Sequence, residues 1–164
     1  MQYTCSYSSP LGEMLIASDG SAVTGLWFIG QKYFGSTLEA EYAEKALPVF
    51  GQTVRWLDDY FQGNVPMEMP PVSFNSSSFR IRVWKLLMEI PYGHTVTYGE
   101  IARTLEKQTG RRICAQAVGG AVGHNPVSII VPCHRVIGSN GLTGYAGGLD
   151  KKLALLRPEG VNVH

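Results

Sequence analysis

The stretch TYGEIARTLEKQTGRRICAQAVGGAV, residues 97–122, predicts two short helices joined by a tight turn. Thr97 followed by Glu100 matches a capping box, in which the threonine caps the first helical turn and the glutamate reaches back to the threonine amide. This helix is expected to run through about Leu105, and the turn that follows contains Gly110. The second of the two helices is expected at 111–122. Two short helices on a turn that contains glycine are typical of a helix-turn-helix.

The second of these two helices has an apolar half and a half of mostly small residues. At about 100° per residue, the apolar half contains Ile113, Cys114, Ala117, Val118, Ala121 and Val122, and the other half contains Arg112, Ala115, Gln116, Gly119 and Gly120. Small residues let a helix backbone approach another surface closely, while Arg112 and Gln116 are long enough to reach outward. The pattern by itself fits DNA contact and close helix packing equally well.

The division of charge along the chain favours DNA. The 164 residues carry 14 Lys+Arg against 13 Asp+Glu, a formal net charge of +1 that argues against a strongly basic nucleic-acid binder. Residues 1–75, however, hold three basic and eight acidic residues (net −5), and residues 76–164 hold 11 basic and five acidic residues (net +6). A polyanion would therefore be attracted to the second part of the chain.

Composition excludes several other classes of protein. With 45% hydrophobic and 16% charged residues, the chain is expected to be soluble and globular. Its start, MQYTCSYSSPLGEMLIASDG, has no basic leader region and only short apolar runs, which predicts an intracellular protein without a membrane span. Cys5, Cys114 and Cys133 form no C-x-x-C pair, which argues against a disulfide framework and against a zinc site. Cys5 and Cys114 are expected to be buried small apolar residues.

The first part of the chain predicts a small α+β domain. Alternating residues predict an antiparallel meander of three strands before residue 30, followed by helices at 38–50 and 52–61. Residues 62–78, QGNVPMEMPPVSFNSSS, contain three prolines and a serine run, so a linker is expected there. The predicted organisation is a supporting domain at 1–75 and a second domain, which holds the two helices, at 76–164.

A cysteine at the end of an apolar run carries the chemistry of the second domain. Residues 127–131, VSIIV, predict a buried strand that leads into Pro132-Cys133-His134-Arg135-Val136. A thiol with His and Arg as sequence neighbours has an electropositive setting that favours the thiolate. Neighbouring residues on a strand point to opposite sides, so a proton path between Cys133 and His134 needs a bend or a bridging water.

Several motifs occur together in residues 79–160: FRIRVWKLLMEIPYGHTVTYGEIA, AVGGAVGHNP, PCHRV, GYAGGLDKK and the final Glu159-Gly160. In this combination they resemble the O6-alkylguanine-DNA alkyltransferase family. The resemblance implies an α+β protein in which an N-terminal ribonuclease-H-like α/β domain precedes a C-terminal winged helix-turn-helix-like domain with the active site. It implies repair of O6-alkylguanine, with O4-alkylthymine as a further candidate substrate, by base flipping and irreversible transfer of the alkyl group to the protein. Flipping is needed because a side-chain sulfur cannot reach an atom inside the base stack.

The resemblance also assigns roles to individual residues. The catalytic residues are Cys133 as the nucleophile, His134 as the base acting through a water, Glu159 as the acid that orients His134, Tyr98 as the proton donor to the leaving guanine, and Asn125 as the tie between the recognition helix and the active-site strand. The substrate-binding residues are Tyr145 and Ala146 in the loop that covers the base, the carbonyl of Val136, which with that of Cys133 contacts the guanine amino group, and Val122. Arg135 matches a structural arginine at least as well as a phosphate contact.

The DNA-binding residues implied are Gln116, Arg111, Arg112, Ala115, Gly119 and Gly120. A family member with a well-known intercalating arginine has it at the position of Gln116. Glutamine is long enough to enter the gap left by the flipped base and to hydrogen-bond the orphaned cytosine, but it brings no charge. We hypothesise that Gln116 fills the gap and that Arg111 and Arg112 supply the charge.

The resemblance implies no cofactor, a partner that is double-stranded DNA containing alkylated guanine, no membrane, a monomer, and a bacterial or archaeal cytoplasm. Some members bind zinc in the N-terminal domain, but only Cys5 remains here as a possible ligand, so no metal is expected. Two alternatives remain open. One is a helix-turn-helix protein that binds alkylated DNA without reacting. The other is a multiple-turnover cysteine hydrolase, for which Cys, His and Glu would serve equally.

Overall fold

The computed structural model describes residues 1–162. The chain folds into two compact units. The first comprises Met1–Asn75 together with Pro126–Ser128, and the second comprises Ser76–Asn125 and the chain from Ile129 onward. Within residues 1–162, no helix is long and apolar enough to cross a membrane.

The first unit contains a four-stranded sheet in the order β3-β2-β1-β4. The strands are β1 (Gln2–Ser9), β2 (Gly12–Ser18), β3 (Val23–Phe28) and β4 (Tyr42–Glu44). The predicted antiparallel meander of β1, β2 and β3 is confirmed, and β4 adds to β1 in parallel. The turn between β2 and β3 forms because the Asp19 carboxylate accepts the backbone N–H groups of Ser21 and Ala22, both at 3.0 Å.

One helix, α1 (Pro48–Phe61), packs on this sheet. The Tyr7 hydroxyl of β1 donates to Asp58 of α1 at 2.7 Å. The predicted helix at 38–50 is wrong, because residues 42–44 pair as β4 and the helix begins only at Pro48. Proline suits the first turn of a helix, where its missing N–H has no partner to lose, but it disrupts an interior position. Pro48 therefore marks a beginning rather than the middle of a helix.

The predicted strand at 127–131 is also wrong. Val127 forms an isolated parallel bridge with Leu26 of β3, with Leu26 N–H donating to Pro126 O at 2.8 Å and Ser128 N–H donating to Leu26 O at 2.9 Å. The next residues turn, and Ile129 has φ 71°. A β-branched residue rarely adopts this left-handed conformation. Strand composition alone could not reveal that the chain bends here.

The second unit contains four helices and a small sheet. They are α2 (Ser78–Leu87), β5 (Val96–Thr97), α3 (Tyr98–Thr109), α4 (Ala115–Gly123), β6 (Val136–Ile137), which pairs in parallel with β5, and α5 (Leu149–Leu156). Thr97 caps α3 as predicted, since its Oγ1 accepts the Glu100 N–H at 3.1 Å. Gly110 ends α3 with φ 69°, a conformation that costs little without a Cβ.

The turn between α3 and α4 is held by Glu106, whose carboxylate accepts the Ile113 N–H at 2.9 Å. The helix α4 begins at Ala115, later than predicted, because Cys114 still has extended backbone angles. Its predicted apolar half is only partly correct: Val118, Ala121 and Val122 are buried, whereas Cys114 and Ala117 are exposed. On the inner side, the indole N–H of Trp84 donates to the Ala121 carbonyl at 2.8 Å.

Substitution of Gly25 tests the packing of the first unit. A Cβ at Gly25 would lie 2.0 Å from the buried Trp27 ring, so Gly25→Ala should lower the free energy of unfolding by about 1–3 kcal/mol, as overpacking does. Gly51→Ala is the matched control, because its Cβ would meet only the end of the Arg55 side chain at 3.4 Å. In helix α1 it should raise stability by about 0.5–1 kcal/mol. Urea titration, followed by tryptophan fluorescence, measures the free energy of unfolding of both variants. Equal changes in the two variants would contradict this packing.

Candidate active site

Cys133, His134 and Arg135 form one short turn of 3₁₀ helix and are all buried. The Cys133 N–H donates to Val131 O at 2.8 Å and the Arg135 N–H donates to Pro132 O at 3.0 Å. The expectation that Cys133 lies at the mouth of a strand is therefore wrong. On a tight turn, successive side chains are not restricted to opposite faces, which removes the geometric objection to cooperation between Cys133 and His134.

The carboxylate of Glu159 lies at the centre of this turn's polar contacts. His134 Nε2 lies 2.7 Å from Oε2, and Arg135 Nε donates to Oε1 at 2.7 Å. The Gly93 N–H donates to Oε1 at 3.3 Å. Glu159 follows the end of α5, and its own N–H donates to Leu156 O at 3.1 Å. Contacts from two separate segments, at Gly93 and at 134–135, therefore hold the carboxylate.

Glu159 selects the tautomer of His134, and burial keeps the ring neutral. A carboxylate at Nε2 favours the tautomer whose proton is on that atom, which leaves the lone pair of the neutral ring on Nδ1. Burial lowers the pKa of His134, although the hydrogen bond and the charge of Glu159 act in the opposite direction. The imidazole is consequently neutral near pH 7, the form that can accept a proton.

Arg135 compensates the buried charge of Glu159. Besides its bond to the carboxylate, Nη1 donates to the Ile90 carbonyl at 2.8 Å, and the guanidinium lies 5.7 Å from the centre of the Tyr92 ring. The Tyr92 hydroxyl in turn donates to Pro158 O at 3.2 Å. Arg135 thus has a structural role in this unit and is not exposed for phosphate contact.

Cys133 is 6% exposed. Burial raises its pKa, and a hydrogen bond from Asn125 and the charge of Lys152 oppose that effect. The expectation that the neighbours His134 and Arg135 favour the thiolate is therefore wrong, because burial dominates the pKa of Cys133 and neither neighbour is among the groups that oppose it. The cation that acts on Cys133 is Lys152, from helix α5.

Asn125 connects the end of α4 to the segment before the cysteine. Its side-chain amide donates to the Val131 carbonyl at 2.8 Å and the residue is 5% exposed. Together with its bond to Cys133, this contact joins the end of α4 to the thiol.

Tyr98 begins α3 and lies beside α4. A Cβ at Gly119 would be 3.9 Å from the Tyr98 ring, which is ordinary contact, and the Thr143 hydroxyl donates to the Tyr98 hydroxyl at 3.4 Å. Tyr145 and Ala146 are half-buried in the loop that leads to α5. Val122 and Val136 are buried among the apolar residues of this unit.

The surface of α4 and the turn before it is open. Exposed here are Arg111, Arg112, Ala115, Gln116, Ala117 and Gly120, with Gly119 half-buried. The structure thus presents two arginines and one long amide on a surface of small side chains. No His, Cys, Asp or Glu cluster in residues 1–162 has the three members needed to hold a metal ion.

Lys152 is the functional candidate that sequence reasoning missed. Its ammonium donates to the carbonyls of Val136 at 2.6 Å, Thr143 at 2.9 Å and Gly144 at 3.1 Å. The sequence does contain a pattern that could have identified Lys152. It lies three and four residues before Leu155 and Leu156, and so shares the buried face of α5 with them. A lysine on an apolar face indicates a buried partner.

Two family models match the chain. Residues 2–70 match "6-O-methylguanine DNA methyltransferase, ribonuclease-like domain", and residues 78–161 match "6-O-methylguanine DNA methyltransferase, DNA binding domain". The chain belongs to the 6-O-methylguanine DNA methyltransferase family. The predicted fold class, a ribonuclease-like domain followed by a DNA-binding domain, is confirmed.

Named relatives come from bacteria and archaea. The methylated-DNA–protein-cysteine methyltransferase of Mycobacterium tuberculosis H37Rv is 44% identical over 152 residues, 92% of this chain and 88% of the relative. That of Methanosarcina acetivorans is 41% identical over 163 residues, 96% of this chain and 98% of the relative. Among solved structures, M. tuberculosis O6-methylguanine methyltransferase aligns with a TM-score of 0.82 at 41% identity, covering 97% of this chain and 93% of the other. M. tuberculosis OGT in complex with DNA aligns with a TM-score of 0.80 at 41% identity, covering 96% and 91%.

The shared carboxylate predicts a large loss of stability when it is removed. Glu159→Gln leaves Arg135 buried without its counterion, so the free energy of unfolding should fall by about 3–5 kcal/mol. Glu39→Gln makes the same chemical change at an exposed ion pair with the Met1 amino group, 3.8 Å away, and should cost about 0–1 kcal/mol. Denaturant titration at pH 7 compares the two. Similar losses for both variants would mean that the Glu159 network does not stabilise the fold.

Proposed function

We propose that this chain repairs O6-alkylguanine in double-stranded DNA by transferring the alkyl group to Cys133, once per molecule, as a monomer without a cofactor. The observation that carries the proposal is the buried pair of His134 and Glu159, 2.7 Å apart, in which His134 lies on the same turn as Cys133. The relatives named as methylated-DNA–protein-cysteine methyltransferases support it, as does a solved relative in complex with DNA. Bacterial and archaeal relatives also favour a cytoplasmic location.

In the proposed reaction, His134 accepts the thiol proton of Cys133 through a bridging water, and Glu159 stabilises the resulting imidazolium. The thiolate attacks the alkyl carbon, so that a sulfur–carbon bond forms as the bond between that carbon and guanine O6 breaks. Tyr98 supplies a proton to the leaving guanine, and proton exchange with solvent restores the neutral Tyr98 and His134. The net change is that the thiol proton replaces the alkyl group on guanine.

Burial of the thiol supports base flipping. With Cys133 only 6% exposed, its sulfur cannot approach a base that remains stacked in a duplex. We assign the base-binding role to the Val136 and Cys133 carbonyls, to Val122, and to Tyr145 and Ala146. The exposed face of α4 then enters the minor groove, which is about 6 Å wide in B-DNA and is suited to Ala115, Gly119 and Gly120.

The two alternative functions are less well supported. A non-reacting DNA binder has no use for a nucleophile linked by Asn125 to its recognition helix. A multiple-turnover hydrolase leaves the exposed surface of α4 without a role. A thioether on Cys133 also has no hydrolytic exit comparable to that of a thioester, so each molecule acts once.

Intact mass measurement tests the proposed transfer. Incubated with excess duplex containing O6-methylguanine, the protein should gain one methylene on Cys133 and stop at one equivalent. Cys133→Ala should gain nothing, whereas Cys114→Ala, which removes an exposed thiol directly before the proposed DNA-facing helix α4, should still gain one methylene. Absence of any gain would favour the non-reacting binder, and demethylation beyond one equivalent would favour the hydrolase.

Gln116 is proposed to fill the gap left by the flipped base. Gln116→Ala should lower the single-turnover rate at subsaturating DNA about tenfold or more, because unstacking a base costs a few kcal/mol that the variant no longer offsets. Lys107→Ala is the control, since it removes a long exposed side chain from α3 instead of α4. Rapid-quench kinetics measures the single-turnover rate, and a binding titration measures the affinity for DNA. If Gln116→Ala has the wild-type rate and the wild-type affinity, Gln116 does not fill the gap.

A further inference from the structure

Lys152 is buried without a carboxylate partner among the described residues. Its exposed fraction is 0%, whereas lysine side chains are almost never fully buried unless they are paired. The ion pairs found in residues 1–162 join Met1 to Glu39 and Glu159 to His134 and Arg135, and none includes Lys152. Three backbone carbonyls instead receive its three ammonium hydrogens, at 2.6, 2.9 and 3.1 Å.

These three carbonyls belong to two different segments of the proposed active site. Val136 directly follows the turn that carries Cys133. Thr143 and Gly144 lead into Tyr145, in the loop assigned to cover the base. One ammonium therefore connects the nucleophile's segment to the covering loop. The Thr143 hydroxyl donates in addition to Tyr98, the proposed proton donor, at 3.4 Å.

The charge of Lys152 also acts on the reacting thiol. Lys152 lowers the pKa of Cys133, and Cys133 in turn raises the pKa of Lys152, although burial dominates and brings the pKa of Lys152 down to about 8. Near pH 7 the side chain is therefore largely cationic. His134, on the same turn as Cys133, also responds to this charge, and Tyr145 is the titratable residue of the covering loop.

We propose, on the basis of the function proposed above, that Lys152 is a positioning residue for alkyl transfer. Its ammonium holds residues 143–145 against the Val136 carbonyl, so that the base-covering loop and the nucleophile's segment keep a common geometry. Its positive charge stabilises the Cys133 thiolate as the proton leaves. The loop contact governs how well the extruded base is bound, and the charge governs how fast the sulfur attacks.

Three variants separate these two effects. Lys152→Met removes the charge and all donors, while Lys152→Gln removes the charge but retains two N–H donors. Lys151→Met is the matched control, because it removes the same charge from the adjacent position of the same helix. Tryptophan fluorescence and affinity for unmodified duplex establish that each variant is folded.

Single-turnover kinetics with the O6-methylguanine duplex should distinguish the variants. We expect Lys152→Met to lower the maximal transfer rate about tenfold or more and to raise the DNA concentration for half-maximal rate, because small misplacements of reacting groups are costly. Lys152→Gln should lose maximal rate but keep a nearly normal half-saturating concentration. Lys151→Met should match the wild type in both.

The ratio of the rates of Cys133 alkylation by iodoacetamide at pH 7 and at pH 10, read by peptide mapping without DNA, measures the charge effect, because Lys152 is largely cationic at the first pH and neutral at the second. This ratio should fall in Lys152→Met and Lys152→Gln and remain unchanged in Lys151→Met, and a tenfold fall corresponds to one unit of thiol pKa. A purely structural lysine would leave this ratio unchanged in any folded variant.

Failure of this inference is distinguishable from failure of the proposed function. Folded Lys152 variants with the wild-type transfer rate and the wild-type ratio of alkylation rates would overturn the inference, while methyl transfer by the wild type would still support the function. No transfer by the wild type would overturn the function itself. If Lys152→Met does not fold, Lys152→Gln decides, and misfolding of that variant as well would assign Lys152 to stability and overturn the positioning role.

Discussion

The buried carboxylate of Glu159 is the interaction on which the site geometry depends. Because a charge removed from water needs close compensation, Arg135 and His134 must both turn toward it, and the short 3₁₀ turn allows adjacent residues to do so. Arg135 extends the network to Ile90 and, through its ring contact, to Tyr92. Three separate segments of the second unit thereby hold His134 in one orientation.

The two buried cations of the second unit are stabilised in different ways. Arg135 faces a carboxylate, so its charge is largely compensated and Glu159 remains an acceptor for His134. Among the described residues, the Lys152 ammonium donates to carbonyl oxygens, and Cys133 supplies a compensating negative charge when it ionises. Arg135 therefore stabilises Glu159 in the resting site, while in the proposed reaction Lys152 favours the charge that develops on Cys133.

Helix α4 links an open surface to this buried chemistry. Its outer side has small or absent side chains around Gln116, while its inner side is held by the Trp84 indole at Ala121. Asn125, just beyond its end, reaches the segment before the cysteine. In the proposed function, a helix held in this way approaches DNA closely without losing its position relative to Cys133. The backbone proposed to bind the groove thus also sets where an extruded base would meet the sulfur.

The sequence by itself determined the features that depend on neighbouring residues: the Thr97 cap, the glycine turn of the helix-turn-helix, the first three strands, and the motif around Cys133. It misplaced the helix at 38–50 and the strand at 127–131, because composition does not indicate where the chain must turn to meet a distant strand. Only the tertiary structure decided that Glu159 is shared by His134 and Arg135 and that the charge of Lys152 acts on Cys133. Local preferences come from steric and hydrogen-bonding effects within a few residues, whereas the placement of buried charges depends on which distant groups replace water around them.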